Sequence, residues 1–487
     1  MKRHLLIIML LITGQTHAQS IIFKGDSIFT NKSNLSITVT LRQPLIEYLK
    51  TLAPNQDSLA KKGNYQFSFY IDNHLIYHTE LWPGFPDPNE ITWTKPLIDY
   101  NHEGAYWSQF AWYRFLRNGG DSALTDGPHT LKIELRPYVK APDLKTGEII
   151  AQGEFHLHVQ RNIKSSPLPL AKVQAYKDLP VSHEKFDTTK IKQLKGEIEA
   201  GVFRHITSIV AIKNNKILFE EYFNGSGRDS LHDVRSVGKT FAAALTGLAI
   251  RDGYLKSENQ TLGEFYPLTP EKAKITLKQL LTMSSPFDGD DNDDNSPGNE
   301  ENMYPTENWV NFTLNLPVDT NKFHGQWHYF TAGVMLLGST LDKIIPGGLE
   351  KYADKNLFAP LHITNYQWQY TPQHAPNTAG GIRMNSLDFA KFGLCYANKK
   401  IIPAKWVEKS LSHQLPVTGR KNEYYGYLFW NKKYGQHETY YCSGNGGNKI
   451  FIFKDLVIVI TATAYNLPYA HGQVDKIMES YILPAIY

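Results

Sequence analysis

The chain has 487 residues, 41% of them hydrophobic and 20% charged, with a formal net charge of +4 at neutral pH. That length is more than one compact core holds and points to two or three domains, while the composition excludes a disordered chain. The charge is small and no Lys/Arg block stands out, so nucleic acid has no case as a partner.

The chain begins Met1-Lys2-Arg3-His4, continues with the apolar run Leu5 to Ile12, and reaches a small residue, Ala18, in "THAQS". A basic start, a short apolar run and a small residue at a cut site read as a secretory signal peptide over 1–19, so the protein is expected to be exported, periplasmic or secreted. The run is too short to span a bilayer and no later segment approaches a span, so no stable membrane insertion is expected. Two cysteines, Cys395 and Cys442, imply no disulfide framework.

Residues 20–162 alternate apolar and polar positions between turn residues. "NLSITVTL" (Asn34 to Leu41), "YQFSFYIDNHLIYHTEL" (Tyr65 to Leu81), "HTLKIELRPYV" (His129 to Val139) and "EFHLHVQ" (Glu154 to Gln160) read as strands. Asp72-Asn73 and Asp126-Gly127 supply the turn chemistry. Short strands without long helical patterns suggest a small all-β accessory domain, an immunoglobulin-like sandwich. Trp93, Tyr106, Trp107, Trp112 and Tyr113 suit either a binding face or packing in the core, and packing is the commoner use. "KSSPLPLAK" (Lys164 to Lys172) is a Ser/Pro-rich connector, so 163–200 is read as linker and lead-in and 201–487 as a second domain.

In that domain, "ITSIVAIKNNKILFEEYF" from Ile206 predicts two strands around a tight Asn214-Asn215 turn. Helices are expected over Ser236 to Asp252 with Gly253 as its stop, over Thr276 to Ser285, Phe330 to Ile344, Ser386 to Ala397 and Gln473 to Ile482. Asn448 to Tyr465 predicts a second strand hairpin. Strand pairs at both ends with helices between them predict an α+β fold, one antiparallel sheet flanked by helices, with a cleft where the middle of the chain overhangs it.

Ser236 and Lys239 lie three positions apart at the head of the uncharged helix "TFAAALTGLAI". A serine hydroxyl needs a base. A lysine one turn away on the same helix face supplies it if burial lowers its affinity for a proton, and free N–H groups at the helix start help hold an oxyanion. The spacing alone is not specific, since Ser58-Leu59-Ala60-Lys61 and Ser182-His183-Glu184-Lys185 share it. Only Ser236 follows a strand hairpin and opens a long apolar helix. A helix cap with a solvated lysine is the bland alternative.

"RSVGKTFAAALTGLAIRDGYL" followed by "ITLKQLLTMSS" resembles the penicillin-recognising serine hydrolases: class C β-lactamases, D-alanyl-D-alanine peptidases and related esterases and amidases. The resemblance continues through "WHYFTAGVMLLGSTLDKI", "TAGGIRMNSLDFAKFG" (Thr378 to Gly393) and "YCSGNGGNKIFIF" (Tyr441 to Phe453), in the family's order from about Thr207 to Tyr487. It implies a β-lactamase-like fold, with Ser236 as the acylated nucleophile, Lys239 as its proton acceptor and Tyr329 relaying a proton to the leaving group. It further implies an oxyanion hole from the backbone N–H groups of Ser236 and Asn445, and substrate-binding roles around Ser443, Gly444 and Thr331. No metal and no cofactor is expected, and the implied partner is a small ester, amide or peptide.

This chain departs from the family pattern at three places. Pro286 stands at the glycine closing the Leu-Leu-Thr element, Thr331 replaces the asparagine of Tyr-x-Asn, and Cys442 stands where a basic residue precedes the Thr-Gly pair. These departures weaken the contacts a β-lactam carboxylate and acylamino group would need. The Gly-rich "CSGNGGN" is closer to relatives such as the 6-aminohexanoate-dimer hydrolases, which places ester or linear-amide cleavage ahead of β-lactam hydrolysis. The alternatives are a D-amino-acid peptidase or β-lactamase proper, or an idle fold serving as a binding or scaffold protein. The acidic segment Phe287 to Asn302 fails the EF-hand template for lack of glycine at its sixth position and reads as a solvated loop at the cleft rim.

Overall fold

In the computed structural model, which describes residues 20–100, 107–161, 163–293, 295–323 and 325–487, the chain falls into two compact units, Met1–Asn162 and Ile163–Tyr487. Residues 1–19, expected to be a signal peptide, and Tyr106 lie outside the described residues, as does the side chain of Trp107.

In the second unit, strand Leu456–Ala462 is buried at every position, no residue exceeding 2% exposure. Continuous burial means that both faces of the strand are covered. It pairs antiparallel with Ile206–Lys213, Ile209 opposite Ile460 and Ala211 opposite Ile458, so the first and last hairpins of the unit join one sheet. The sheet has eight strands in the order Lys216–Tyr222, Ile206–Lys213, Leu456–Ala462, Asn448–Ile452, His437–Gly444, Trp430–Tyr434, Tyr424–Tyr425, Leu415–Pro416. The first hairpin turns through Asn214 and Asn215 at φ of 49° and 62°, the left-handed pair that matches the twist of the strands.

Alternation along Asn448–Ile452 shows what covers each face. Ile450 packs where helix Ser386–Ala397 brings Gly393 onto the sheet, close enough that a side chain at Gly393 would press on Ile450 and Val457. Lys449, its neighbour, points the other way and meets Asp475 of helix Ala470–Ile477. On the Ile450 side, helix Lys239–Arg251 stacks Phe241 on Phe392 with ring centroids 3.9 Å apart. Each such buried apolar side chain contributes roughly 1.5–3 kcal/mol.

Two expectations need revision. The helix predicted over Thr276 to Ser285 is only Leu277–Leu281, started by a reciprocal cap between Thr276 and Gln279 and ended where Met283 turns left-handed at φ 50°. Part of the segment taken as linker and lead-in is a helix, Thr188–Glu199, with the Asp187 carboxylate capping Thr189 N–H and Ile191, Leu194 and Ile198 buried. Its polar outer face hid it.

The first unit is strand-rich. Leu35–Thr40, Gly63–Ile71, His74–Glu80, Gly127–Lys140 and Ala151–Val159 occupy the anticipated stretches. They belong to a three-stranded and a six-stranded sheet. Helices Leu45–Leu52 and Trp107–Phe115 accompany them, which the expected run of strands did not include. Trp93, Trp112 and Tyr113 are buried at 2–3% exposure, and Trp112 packs edge-on against Phe69 and Phe29. For these three rings core packing, not a binding face, is the use observed. Among the described residues no helix is long and apolar enough to cross a membrane.

Candidate active site

Residues Arg235–Gly238 form one 3₁₀ turn that runs directly into helix Lys239–Arg251. Arg235 is left-handed at φ 52°, a conformation that costs a non-glycine residue of order 1–3 kcal/mol. Tertiary contacts hold it there. Its N–H bonds the Asp233 carboxylate at 3.2 Å, and its guanidinium lies 4.4 Å from the centre of the Tyr465 ring. The kink leaves Ser236 partly exposed while Val237, Gly238 and Lys239 are buried.

Lys239 is 2% exposed. Its Nζ donates to Ser236 Oγ at 2.7 Å and to the Ala379 carbonyl at 2.8 Å. A neutral amine has two N–H groups and one lone pair. An unprotonated amine in this position would keep one N–H on the Ala379 carbonyl and turn its lone pair to the Ser236 hydroxyl. The Ala379 segment is fitted closely, since a side chain at Gly380 would press on Arg235 and Ser236 at 3.1–3.4 Å, and one at Gly238 would press on Gly380.

Tyr329 precedes helix Thr331–Ile344, and its ring centre is 5.1 Å from Lys239 Nζ. Trp430 stacks on it at 6.0 Å and Trp327 tilts against it at 6.2 Å, so two indoles fix the plane of the phenol. Tyr329, distant in sequence, is therefore brought beside the neighbouring serine and lysine.

The third element is the end of strand His437–Gly444. A side chain at Gly444 would collide with the Val234 carbonyl and come within 3.1 Å of Val237 N, so glycine is what lets this strand lie against the serine turn. Asn445 follows in the turn, its amide tied to Asn466 by bonds of 2.7 and 2.8 Å. Cys442 is fully buried behind the site, its sulfur accepting from Thr240 Oγ1 at 3.4 Å, and burial pushes its thiol up to about 12. Alternation turns the Ser443 side chain to the opposite face, across from Lys449.

Thr331 is not brought to the cleft. It is 0% exposed and the first residue of its helix, with its N–H held by the Asp291 carboxylate. Both cysteines are free and buried. Among the described residues no group of His, Cys, Asp or Glu is arranged to hold a metal. The acidic segment is a correction to the solvated-loop reading, because Ser296, Gly298 and Asn299 are buried and Asp291 turns inward to bond the backbone of Thr331 at 2.7 Å. Sequence reasoning missed Asp291 and the Ala379 carbonyl. The signal for the second lay in the quoted "TAGG", whose paired glycines mark a close backbone approach.

The family model Beta-lactamase matches residues 197–475. A solved structure assigned as a 6-aminohexanoate-dimer hydrolase from Bacillus anthracis aligns at 15% identity with a TM-score of 0.53, over 66% of this chain and 90% of that one. EstCE1, described as a hydrolase with promiscuous acyltransferase activity, aligns at 12% identity with a TM-score of 0.51, over 60% of this chain and 99% of that one. At such identities these likenesses show the fold. No curated protein matches the sequence.

Proposed function

The chain belongs to the Beta-lactamase family of serine hydrolases, and on that premise we propose that it is an exported enzyme cleaving an ester or amide through an acyl group on Ser236. The observation that carries this reading is the buried Lys239 amine on the Ser236 hydroxyl, with the Tyr329 ring beside it. Lys239 takes the hydroxyl proton as Oγ attacks the acyl carbonyl. The backbone N–H groups of Ser236 and Asn445 hold the oxyanion. Tyr329 passes a proton to the leaving alcohol or amine, whose bond to the acyl carbon breaks, and then helps a water attack the acyl-serine and restore the hydroxyl. An idle fold has no use for a lysine buried in this contact.

Cys442 and Thr331 favour simple esters and linear amides over β-lactams. A buried, uncharged thiol offers nothing to a substrate carboxylate, and a sealed threonine offers nothing to an acylamino group. The basic, apolar start of the sequence supports export, and the strand pattern of the first unit supports an immunoglobulin-like accessory role.

The test is a panel of p-nitrophenyl esters, linear amides, D-amino-acid peptides and β-lactams on wild type and Ser236→Ala. Ester or linear-amide turnover should exceed β-lactam turnover and vanish in Ser236→Ala. Turnover that persists in the variant, or none on any substrate, would overturn the reading.

A further inference from the structure

Asp291 spends its hydrogen-bonding groups around the proposed relay tyrosine. Its N–H donates to the Tyr329 carbonyl at 2.8 Å, and its Oδ2 accepts the Thr331 N–H at 2.7 Å. The same residue therefore grips the chain one residue on either side of Phe330, by its backbone N–H at Tyr329 and by its carboxylate at Thr331. Its Oδ1 accepts the Glu300 N–H at 2.8 Å, and its own carbonyl accepts from Asn299 Nδ2 at 3.3 Å. These bonds tie the grip to the body of the acidic segment.

Phe330 is fixed from the same side. It packs against Phe287 at 6.2 Å, and a side chain at Gly289 would collide with its ring. No side chain of its own caps the helix that starts at Thr331. Asp291 thus supplies from a distant segment the acceptor that a local Ser, Thr, Asp or Asn gives other helices.

We propose that Asp291 is a positioning residue: by clasping the backbone on both sides of Phe330 it holds the Tyr329 phenol over Lys239. This rests on the serine-hydrolase reading above and deepens it. The carboxyl stands in mixed surroundings. Burial, then Glu300, push it up to about 7, and the hydrogen bond from Thr331 and the charge of Lys239 pull against them. The clasp does not depend on ionisation, because a carboxyl or a carboxamide oxygen accepts the Thr331 N–H equally well. A helix cap with no link to the chemistry is the competing account, and the two differ in what they predict for Tyr329.

The experiment is a double-mutant cycle with Asp291→Ala and Tyr329→Phe, using ester turnover on the full-length protein, with Asp291→Asn as the conservative variant. Asp291→Ala should lower kcat about 10- to 100-fold, the scale on which misplacement of a reacting group acts, with KM changed less than threefold. It should have no further effect once Tyr329 is Phe. Asp291→Asn should recover kcat to within about threefold of wild type. Amide hydrogen exchange should quicken at residues 327–332 in Asp291→Ala, which reads the clasp without any substrate. An equal loss in both backgrounds, a change in KM alone, or unaltered exchange at 327–332 would overturn the proposal. If Ser236→Ala abolishes turnover and Asp291→Ala leaves it intact, this inference alone falls. If Ser236→Ala is without effect, the hydrolase reading falls and this falls with it.

Discussion

Lys239→Ala should lower kcat/KM for ester hydrolysis by about 10²- to 10⁴-fold, the range a positioned general base supplies. Among the described residues the amine is the group bonded to Ser236 Oγ, at 2.7 Å. Lys239→Arg separates the two roles a cation can play here. A guanidinium keeps the positive charge but does not give up its proton in a protein, so an electrostatic role would be largely rescued and a base would not. Arginine should leave the enzyme as slow as alanine does. Because Lys239 is buried and also bonds the Ala379 carbonyl, thermal unfolding of each variant must accompany the kinetics. A folded Lys239→Ala protein within twofold of wild type would contradict the assignment.

The second large effect is on stability. Asp475→Ala should destabilise the protein by about 3–5 kcal/mol, the cost of leaving a buried charge without its partner. Lys449, 3% exposed, reaches Asp475 Oδ1 at 2.5 Å, Tyr434 OH donates to the same oxygen at 2.6 Å, and Lys432 bonds Oδ2 at 2.8 Å. Burial works to raise the Asp475 carboxyl, but Lys449, Lys432 and Tyr434 outweigh it and hold it at about 2. A carboxyl depressed in the folded state adds stability above its unfolded value near 4, and that stability is lost as pH falls toward 2. Urea unfolding should therefore show a larger penalty for Asp475→Ala at pH 7 than at pH 3. Equal penalties at the two pH values, or less than about 1 kcal/mol at pH 7, would contradict the pairing.

What the sequence made legible follows from distance along the chain. Ser236 and Lys239 are three residues apart, so helical geometry alone puts them on one face. The strand hairpins announce themselves by apolar runs around Asn214-Asn215. Tyr329 was reachable only through the family pattern around it, since nothing local distinguishes a relay phenol from a packed ring. Asp291 and the Ala379 carbonyl act on residues far away in sequence, and the surrounding Asp, Asn and Gly composition made the acidic segment look solvated. The substrate-binding role expected of Thr331 came from its place in the motif; only packing shows that it is sealed. Helix Thr188–Glu199 was missed because one face is charged and its stripe of Ile191, Leu194 and Ile198 is short.

The most direct test of the account is peptide mapping by mass spectrometry after treatment with a fluorophosphonate. A single adduct on the peptide carrying residue 236, missing from Ser236→Ala and strongly slowed in Lys239→Ala, is the predicted result. No adduct at all, or equal labelling of the Ser236→Ala protein at another residue, would contradict the claim that this serine is the nucleophile.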